Sequence, residues 1–402
     1  MLFNGLAFEE TGTRFRLYPQ SPVLDEFAEP ETVWVSTAPW EIEPGPADAR
    51  MYVVDAVGKD EPYAFPALPP WQGRRHPEVT AGPDGHFDHL AADSREFRAA
   101  HMYGVMRMVL DIWEGYFQRR IGWHFQDVLP RLELIPWLRW NNAQAGFGFI
   151  ETGYRLGPGG ERVPLSLNFD VLAHELGHSI LYSELGLPAD GEASAEYVAY
   201  HESASDLVAI ISVLHFDSIV DLLLERTRGN LYVRNVLNRI GETSPTEQLR
   251  LASNRLRMRD VPDRASPLAA LSQRQRHLLG EPVTGAVFDI LVEVFQQMLV
   301  DEGLISEHLD AISRRDACSH RLGPSQAGFD RAWARAPAAF KRVLGEARDY
   351  MGQVLALSWE ELGFDLTFVD VGRALLRADL ELSGGRFHPE ILQSLVWREI
   401  GA

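Results

Sequence analysis

The sequence predicts an α+β fold in which a β-rich N-terminal part precedes a mostly α-helical C-terminal part. Residues 1–90 are rich in proline, glycine and aromatic residues, and they contain short β-like runs at 32–35 and 51–54. From Asp93 onward, apolar residues recur at the three- and four-residue steps of a helix. The length of 402 residues fits two domains, or one large unit with two lobes around a shared cleft.

The N-terminal part changes its pattern near residue 90. Repeated prolines, such as Pro62 and Pro66, indicate turns and irregular edge structure before this point. A helix is predicted over 93–120, and we interpret its His101 as a packed or hydrogen-bonded residue rather than a metal ligand. We therefore expect residues 1–90 to complete or flank an N-terminal lobe formed by residues 91–186.

A strand region is predicted just ahead of the most informative motif. Residues 141–150 alternate in character and are rich in glycine, and residues 157–160 read Gly-Pro-Gly-Gly, which predicts strands and a turn. An edge strand at 141–150 could pair with the extended backbone of a peptide substrate. It could equally be a plain structural strand, and the spacing does not decide between the two.

That motif is the five-residue stretch His174-Glu175-Leu176-Gly177-His178. Residues four apart lie on one face of a helix, so His174 and His178 can both direct their imidazoles at one metal ion. Glu175 lies beside them, where its carboxylate can take a proton from metal-activated water. Zinc accepts two imidazoles, one carboxylate and an exchangeable water, so the sequence predicts a zinc site.

The third protein ligand is predicted to be Glu202, which lies 24 residues after His178. That separation allows one helix to end and a second helix to return alongside it. Asp206 follows Glu202 by one helical turn and shares its face. It can therefore hold the outer ring nitrogen of a zinc-bound histidine, which fixes the orientation of that ligand.

The helix that carries the two histidines is predicted over 170–186, with Asp170 or Asn168 as its N-cap and Gly186 as its end. We group residues 187–402 as a helical lobe. The polar stretch 241–282 within it is predicted to be irregular and able to hold active-site loops. The helices predicted in this lobe cover 194–216, 219–226, 284–300, 337–357, 368–380 and 389–400.

Composition excludes several classes of partner. The 38 basic and 57 acidic residues give a formal charge of −19, which makes nucleic acid an improbable partner. The single cysteine, Cys318, rules out an internal disulfide. The N-terminus lacks the pattern of a secretory signal, and the most apolar helical stretch, 207–214, is too short to span a bilayer. We expect a cytoplasmic protein with no membrane partner, although export without a signal stays open, as does the oligomeric state.

With these residues placed, the chain resembles the thermolysin-like zinc metallopeptidases, the gluzincins that combine H-E-x-x-H with a glutamate in E-x-x-x-D. Residues 100–105, A-H-M-Y-G-V, are similar to that family's A-H-x-Y-x-G-V helix with one residue fewer. Asn142 and Ala143 resemble the edge-strand pair that grips substrate backbone, and Arg250 the arginine that binds the carbonyl after the cleaved bond. Residues 284–285 resemble the S-G that opens a late helix.

The resemblance implies a zincin two-lobe fold with the zinc site in the cleft between the lobes. It assigns zinc binding to His174, His178 and Glu202. It makes Glu175 the general base and Asp206 the residue that orients a ligand. The implied reaction is peptide-bond hydrolysis, in which metal-activated water attacks the carbonyl and Glu175 passes the proton to the leaving nitrogen.

Three positions depart from the family pattern. Glu281 stands where the family has the histidine that stabilises the oxyanion, and His277, four residues further upstream, could replace it from a longer loop. Losing one such donor typically costs on the order of a hundredfold in rate. The catalytic tyrosine position falls near Ala193, so that role is not assigned. Asp170 matches a calcium ligand, but Val213 stands where its glutamate partner would be, which argues against structural calcium.

We therefore predict a zinc-dependent endopeptidase that acts on a peptide or protein substrate. An aminopeptidase is disfavoured, because the G-x-M-E-N strand of that class is absent. The alternative from a different class is a catalytically silent zinc-binding scaffold that holds a peptide or protein. Glu281 favours this alternative, whereas Glu175 counts against it, because zinc binding alone does not require a base there.

Overall fold

The computed structural model describes residues 8–157, 159–189, 191–233, 235–237, 239–244, 247–319 and 323–401 of the chain. The description does not include the side chains of residues 240–250 and 316–324, and therefore not those of Arg250 and Cys318. It also does not include residue 158 of the predicted turn. The predicted α+β class is confirmed. Strands are concentrated in the N-terminal part, and the C-terminal part is mostly helical.

The strands are β1 (Thr13–Leu17), β2 (Glu31–Val35), β3 (Met51–Val53), β4 (Leu132–Ile135), β5 (Ala143–Gly146), β6 (Phe149–Thr152), β7 (Tyr154–Leu156), β8 (Arg162–Pro164), β9 (Arg239–Ser244) and β10 (Glu247–Leu251). The helices are α1 (Arg95–Phe117), α2 (Phe169–Leu185), α3 (Ala195–Val213), α4 (Asp217–Thr227), α5 (Gln273–Asp301), α6 (Glu307–Ser319), α7 (Gly323–Arg335), α8 (Pro337–Glu360), α9 (Phe368–Ser383) and α10 (His388–Arg398).

The chain divides into two compact units. The first comprises Met1–Ser183 with Gly241–Leu249, and the second comprises Glu184–Ile240 with Arg250–Ala402. The first unit contains a four-stranded sheet in the order β3-β4-β6-β5, in which β5 is an edge strand. Strands β3, β4 and β6 run parallel, and β5 runs antiparallel to β6. The antiparallel pair β7–β8 encloses the predicted glycine-rich turn.

Described residues before 90 contribute to the core of the first unit. They supply β3 to the central sheet, and the antiparallel pair β1–β2 packs on α1. A buried polar network also fastens the loop after β3 to the sheet. Lys59 lies 2.7 Å from the Glu151 carboxylate, and the hydroxyl of Tyr63 donates to Glu133 at 2.6 Å. Because Glu133 and Glu151 are fully buried, these partners are what makes their burial tolerable.

His101 is a buried, hydrogen-bonded residue of α1, as we predicted from the sequence. Its Nε2 accepts the backbone N–H of Tyr18 at 3.0 Å, and its Nδ1 lies 2.8 Å from the carbonyl oxygen of Ser166. Burial lowers the pKa of His101 to about 4. The imidazole is therefore neutral near neutral pH and joins three segments of the unit.

Helix α5 is the central helix of the second unit, where it packs against α3, α8 and α10. The prediction that this helix opens at 284–285 is wrong, since it begins at Gln273 and those two residues lie in its interior. Ser272 caps the helix, and the side chain of Gln275 accepts the backbone N–H of Ser272 in return. Pro282 removes one backbone donor but does not end the helix. The predicted irregular stretch 241–282 thus contains a strand pair and the first turns of α5.

Among the described residues, α5 is also the one helix long and apolar enough to cross a membrane by length and composition. Helices α3 and α4 pass the same test together, but they are bent by 91° at their junction. The most apolar window of α5 is 78% buried within the protein. This burial is the pattern of a core helix.

Arg314 of α6 is surrounded by three carboxylates, one each from α5, α6 and α10. Arg314 lies 3.1 Å from Glu293, 3.0 Å from Asp310 and 3.8 Å from Glu390. Burial raises the pKa of Glu293 to about 7, with smaller increases from neighbouring carboxylates that include Asp289, and Arg314 opposes the rise. Between pH 4.5, its ordinary pKa, and about 7, the folded chain keeps a proton that the unfolded chain releases.

The free energy of unfolding should consequently fall as pH rises through this window, by on the order of 3 kcal/mol from this group. Glu293→Gln cannot ionise, so we expect its stability to fall less than that of the wild type between pH 5 and 8. Urea unfolding at several pH values measures this difference, with Glu381→Gln, an exposed change on α9, as the control. Equal pH slopes for wild type and Glu293→Gln would contradict the assignment.

Candidate metal centre

Helix α2 carries the two motif histidines, and local contacts define its ends. The Oδ1 atom of Asn168 accepts the backbone N–H of Val171 at 3.2 Å, so of the two predicted caps the structure selects Asn168. Asp170 is instead buried, and it accepts the side-chain amide of Gln20 at 3.1 Å. The helix ends before Gly186, whose φ of +82° lies in the left-handed region that glycine adopts readily.

His174 and His178 converge as the helical repeat requires. Their Nε2 atoms are 3.1 Å apart, and their ring planes are nearly perpendicular at 87°. Two ligands bound at about 2.0–2.1 Å in a tetrahedral zinc shell lie about 3.3 Å apart. The observed separation of the two nitrogens fits that geometry. Glu175, between them in sequence, is 8% exposed.

Helix α3 carries Glu202 and Asp206 one turn apart. Ser194 caps this helix by accepting the backbone N–H of Tyr197 at 3.0 Å. Asp206 is buried at 2% exposure, whereas the Glu202 side chain is 20% exposed. The role of Asp206 in orienting a ligand stays a prediction.

One ligand atom from each of His174, His178 and Glu202 lies within 4.8 Å of the other two. Among the residues the structure describes, no other group of histidine, cysteine, aspartate or glutamate side chains meets the same criterion. Two imidazole nitrogens and one carboxylate oxygen leave a position open for a water or a substrate, which is the donor set of catalytic zinc sites. The side chains present therefore fit a zinc ion.

His277 approaches this group from α5, since the helix begins earlier than expected. Its Nδ1 lies 3.0 Å from Oε2 of Glu202. The sequence suggested that His277 could reach the reacting carbonyl from a long loop. The structure instead places it on a helix and against the carboxylate of a predicted metal ligand.

The approach of α5 to α3 depends on small residues at their contact. A Cβ atom on Gly280 would overlap the carbonyl oxygen of Ala199, so only glycine permits this spacing. One turn further along α5, the Thr284 hydroxyl donates to that of Ser203 at 2.9 Å. Residues 277, 280 and 284 share a face of α5 because they are three and four apart. That face carries His277 to Glu202.

The tyrosines close to Glu202 in sequence have structural partners. The Tyr200 hydroxyl accepts the indole N–H of Trp359 at 2.8 Å, and the Tyr197 hydroxyl donates to the Gly186 carbonyl at 2.6 Å. Both side chains are buried. The catalytic tyrosine role therefore stays unassigned.

Of the predicted substrate-binding residues, Ala143 is the first residue of the edge strand β5 and Asn142 directly precedes it. Ala143 pairs with Thr152 of β6, and the Asn142 carbonyl accepts the N–H of Gly153 at 2.9 Å. The contribution of Arg250 lies outside the described side chains.

An aromatic group that sequence reasoning missed lies beside the histidine helix. The ring centroid of Tyr182 is 6.4 Å from that of His178 and 5.4 Å from that of His124. Phe147 completes the group at 5.7 Å from His124. Burial lowers the pKa of His124 to about 4, so its ring is neutral near neutral pH. The four-residue step from His178 to Tyr182 was the available signal.

Comparisons with known proteins bear on the fold. No protein-family model matches the chain, and a search of curated proteins likewise found no match. Among solved structures, the chain is similar to the precursor of protealysin, a metalloproteinase from Serratia proteamaculans, with a TM-score of 0.50 and 14% identity. The alignment covers 90% of this chain and 89% of that one. This structural similarity shows that the two proteins share a fold.

We expect the wild-type chain to bind one zinc ion and His178→Ala to bind it at least about a hundredfold more weakly, because the change removes a donor nitrogen. Competition with a chromophoric chelator measures the affinity. His388→Ala, which removes an exposed histidine of α10, is the control and should leave the affinity unchanged. Equal affinity of the wild type and His178→Ala would rule out this site.

Gly280→Ala should destabilise the fold by about 1–3 kcal/mol, because its methyl group forces α5 away from α3. Thermal unfolding of the apo-protein tests this effect. Gly345→Ala on α8 is the matched control, since its Cβ would have only the end of Arg348 near it, at 4.0 Å. Alanine there should be neutral or stabilising by up to about 1 kcal/mol. Equal melting temperatures for the two variants would show that Gly280 does not set the helix spacing.

Proposed function

We propose that this chain is a zinc-dependent endopeptidase. The observation that carries the proposal is the group of two imidazole nitrogens and one carboxylate oxygen, with Glu175 adjacent on the same helix. The shared fold with a metalloproteinase precursor supports it. His174, His178 and Glu202 would hold the metal, and the substrate would be a peptide or protein.

A bound zinc ion would supply a Lewis acid that polarises the scissile carbonyl and makes water a nucleophile at neutral pH. Glu175 would accept the proton of that water and pass it to the leaving nitrogen, which is general acid–base catalysis by one carboxylate.

Other residues would hold the substrate and the ligands. The backbone at Asn142 and Ala143 would pair with an extended peptide, because β5 is an edge strand of its sheet. Arg250 would bind the carbonyl after the cleaved bond. Asp206 would orient a zinc ligand from one turn beyond Glu202.

A second function is favoured by one observation. Glu281, rather than a histidine, occupies the position from which the resembling family stabilises the oxyanion, and His277 contacts Glu202 instead. A catalytically silent scaffold that binds zinc and holds a peptide would not need that donor.

The decisive experiment is hydrolysis of fluorescent casein by the zinc-loaded chain beside its Glu175→Gln variant. Glutamine preserves shape and cannot take a proton, so we expect a loss of about 10²–10⁴-fold in rate. Zinc content should stay at one per chain in both proteins, which serves as the internal control.

The outcome separates the two functions. Activity that disappears in Glu175→Gln supports the endopeptidase. If both proteins hold one zinc ion and neither cuts casein or a peptide library, the endopeptidase proposal fails and the scaffold takes its place.

A further inference from the structure

His277 and Glu202 form a contact that the proposed chemistry does not use. Nδ1 of His277 lies 3.0 Å from Oε2 of Glu202, and their side chains are 25% and 20% exposed. The Oε2 atom itself is shielded from solvent, and its 3.0 Å contact with Nδ1 has the distance of a charge pair without the angle of a hydrogen bond. A buried carboxylate oxygen is stabilised by a donor close to it, because water cannot reach it.

The chemistry of the pair gives the direction that a hydrogen bond between them would take. An ionised carboxylate only accepts, so such a bond would use a proton on Nδ1 of His277. A carboxylate that binds zinc through one oxygen keeps the other oxygen as an acceptor. Donors to that second oxygen fix the plane of the carboxylate and limit its rotation away from the metal.

The packing of α5 on α3 makes this contact reproducible. Gly280 lets the two helices approach, and the bond from Thr284 to Ser203 fixes their relative position two turns beyond His277. Both partners lie on regular helices of one compact unit. A residue held in this way is suited to position a ligand.

We propose that His277 is a positioning residue, which donates from Nδ1 to the Glu202 carboxylate and holds it in the orientation that binds the metal. This proposal rests on the zinc site of the proposed function. It gives His277 a role through Glu202 and not through the substrate.

The test compares three variants with the wild type by zinc affinity and zinc dissociation rate. His277→Phe keeps a planar ring without a donor, and we expect it to bind zinc about 10–100-fold more weakly, as losses of such partners typically do. His277→Asn can place an amide N–H close to the position of Nδ1, and it should recover most of the affinity. His308→Phe, a change at an exposed histidine of α6, is the matched control. Thermal unfolding of each apo-protein verifies that the fold is retained.

Four results are distinguishable. Weak binding by His277→Phe with recovery by His277→Asn supports the positioning role. Wild-type zinc affinity in His277→Phe overturns the positioning role and leaves the proposed function intact. If that variant instead loses only kcat, His277 acts in oxyanion stabilisation. Equal weakening in both variants would overturn the donor role in favour of ring packing. A wild-type chain that binds no zinc would overturn the site itself.

Discussion

The helical repeat of α2 is the constraint on which the candidate metal centre depends. Four residues of helix bring the Nε2 atoms of His174 and His178 to 3.1 Å from one another. At that distance two lone pairs repel unless a proton or a cation lies between them. The helix must therefore be held rigidly, and Asn168 at its first turn and Asp170 bonded to Gln20 meet this need. The site is thus built on a fixed element, as precise metal coordination requires.

The second unit solves a related problem through α5. A proline in a helix interior costs about 3 kcal/mol or more. Burying a side chain such as Leu279 or Val283 contributes about 1.5–3 kcal/mol each, so these two neighbours of Pro282 already offset it. The helix continues for this reason, and its first turns bring His277 to Glu202. Core packing and the candidate site are therefore coupled in one element.

This chain and the protealysin precursor share a fold at only 14% identity, which is consistent with the kinds of contact that form the core. Most of the core needs only apolar side chains of suitable size at helix and strand spacing, and many sequences supply them. Residues before 90 illustrate the other contribution. They supply β3 to the sheet and Lys59 to the buried Lys59–Glu151 pair. In the sequence this segment shows only prolines and isolated charges, which do not predict these contacts.

The sequence alone determined the features that depend on short-range geometry. The helices around Glu175 and Glu202 and the approach of His174 to His178 each result from periodicity within one segment. The α+β class results from the change of pattern between successive segments, and all of these features are confirmed. Turn and cap chemistry at Gly186 was also readable. The start of α5 was misplaced. Pro282 and the polar stretch 241–282 indicated irregular structure, whereas the helix already begins at Gln273. Helices α6 and α7 were missed as well.

Only the tertiary structure decided which distant residues meet. It selected Asn168 over Asp170 as the cap, because Gln20, 150 residues away in sequence, engages Asp170. It brought His277 to Glu202 through a glycine contact with Ala199 that no periodicity encodes. A side chain's role depends on its neighbours in space, and those are set by packing between helices rather than by spacing along the chain.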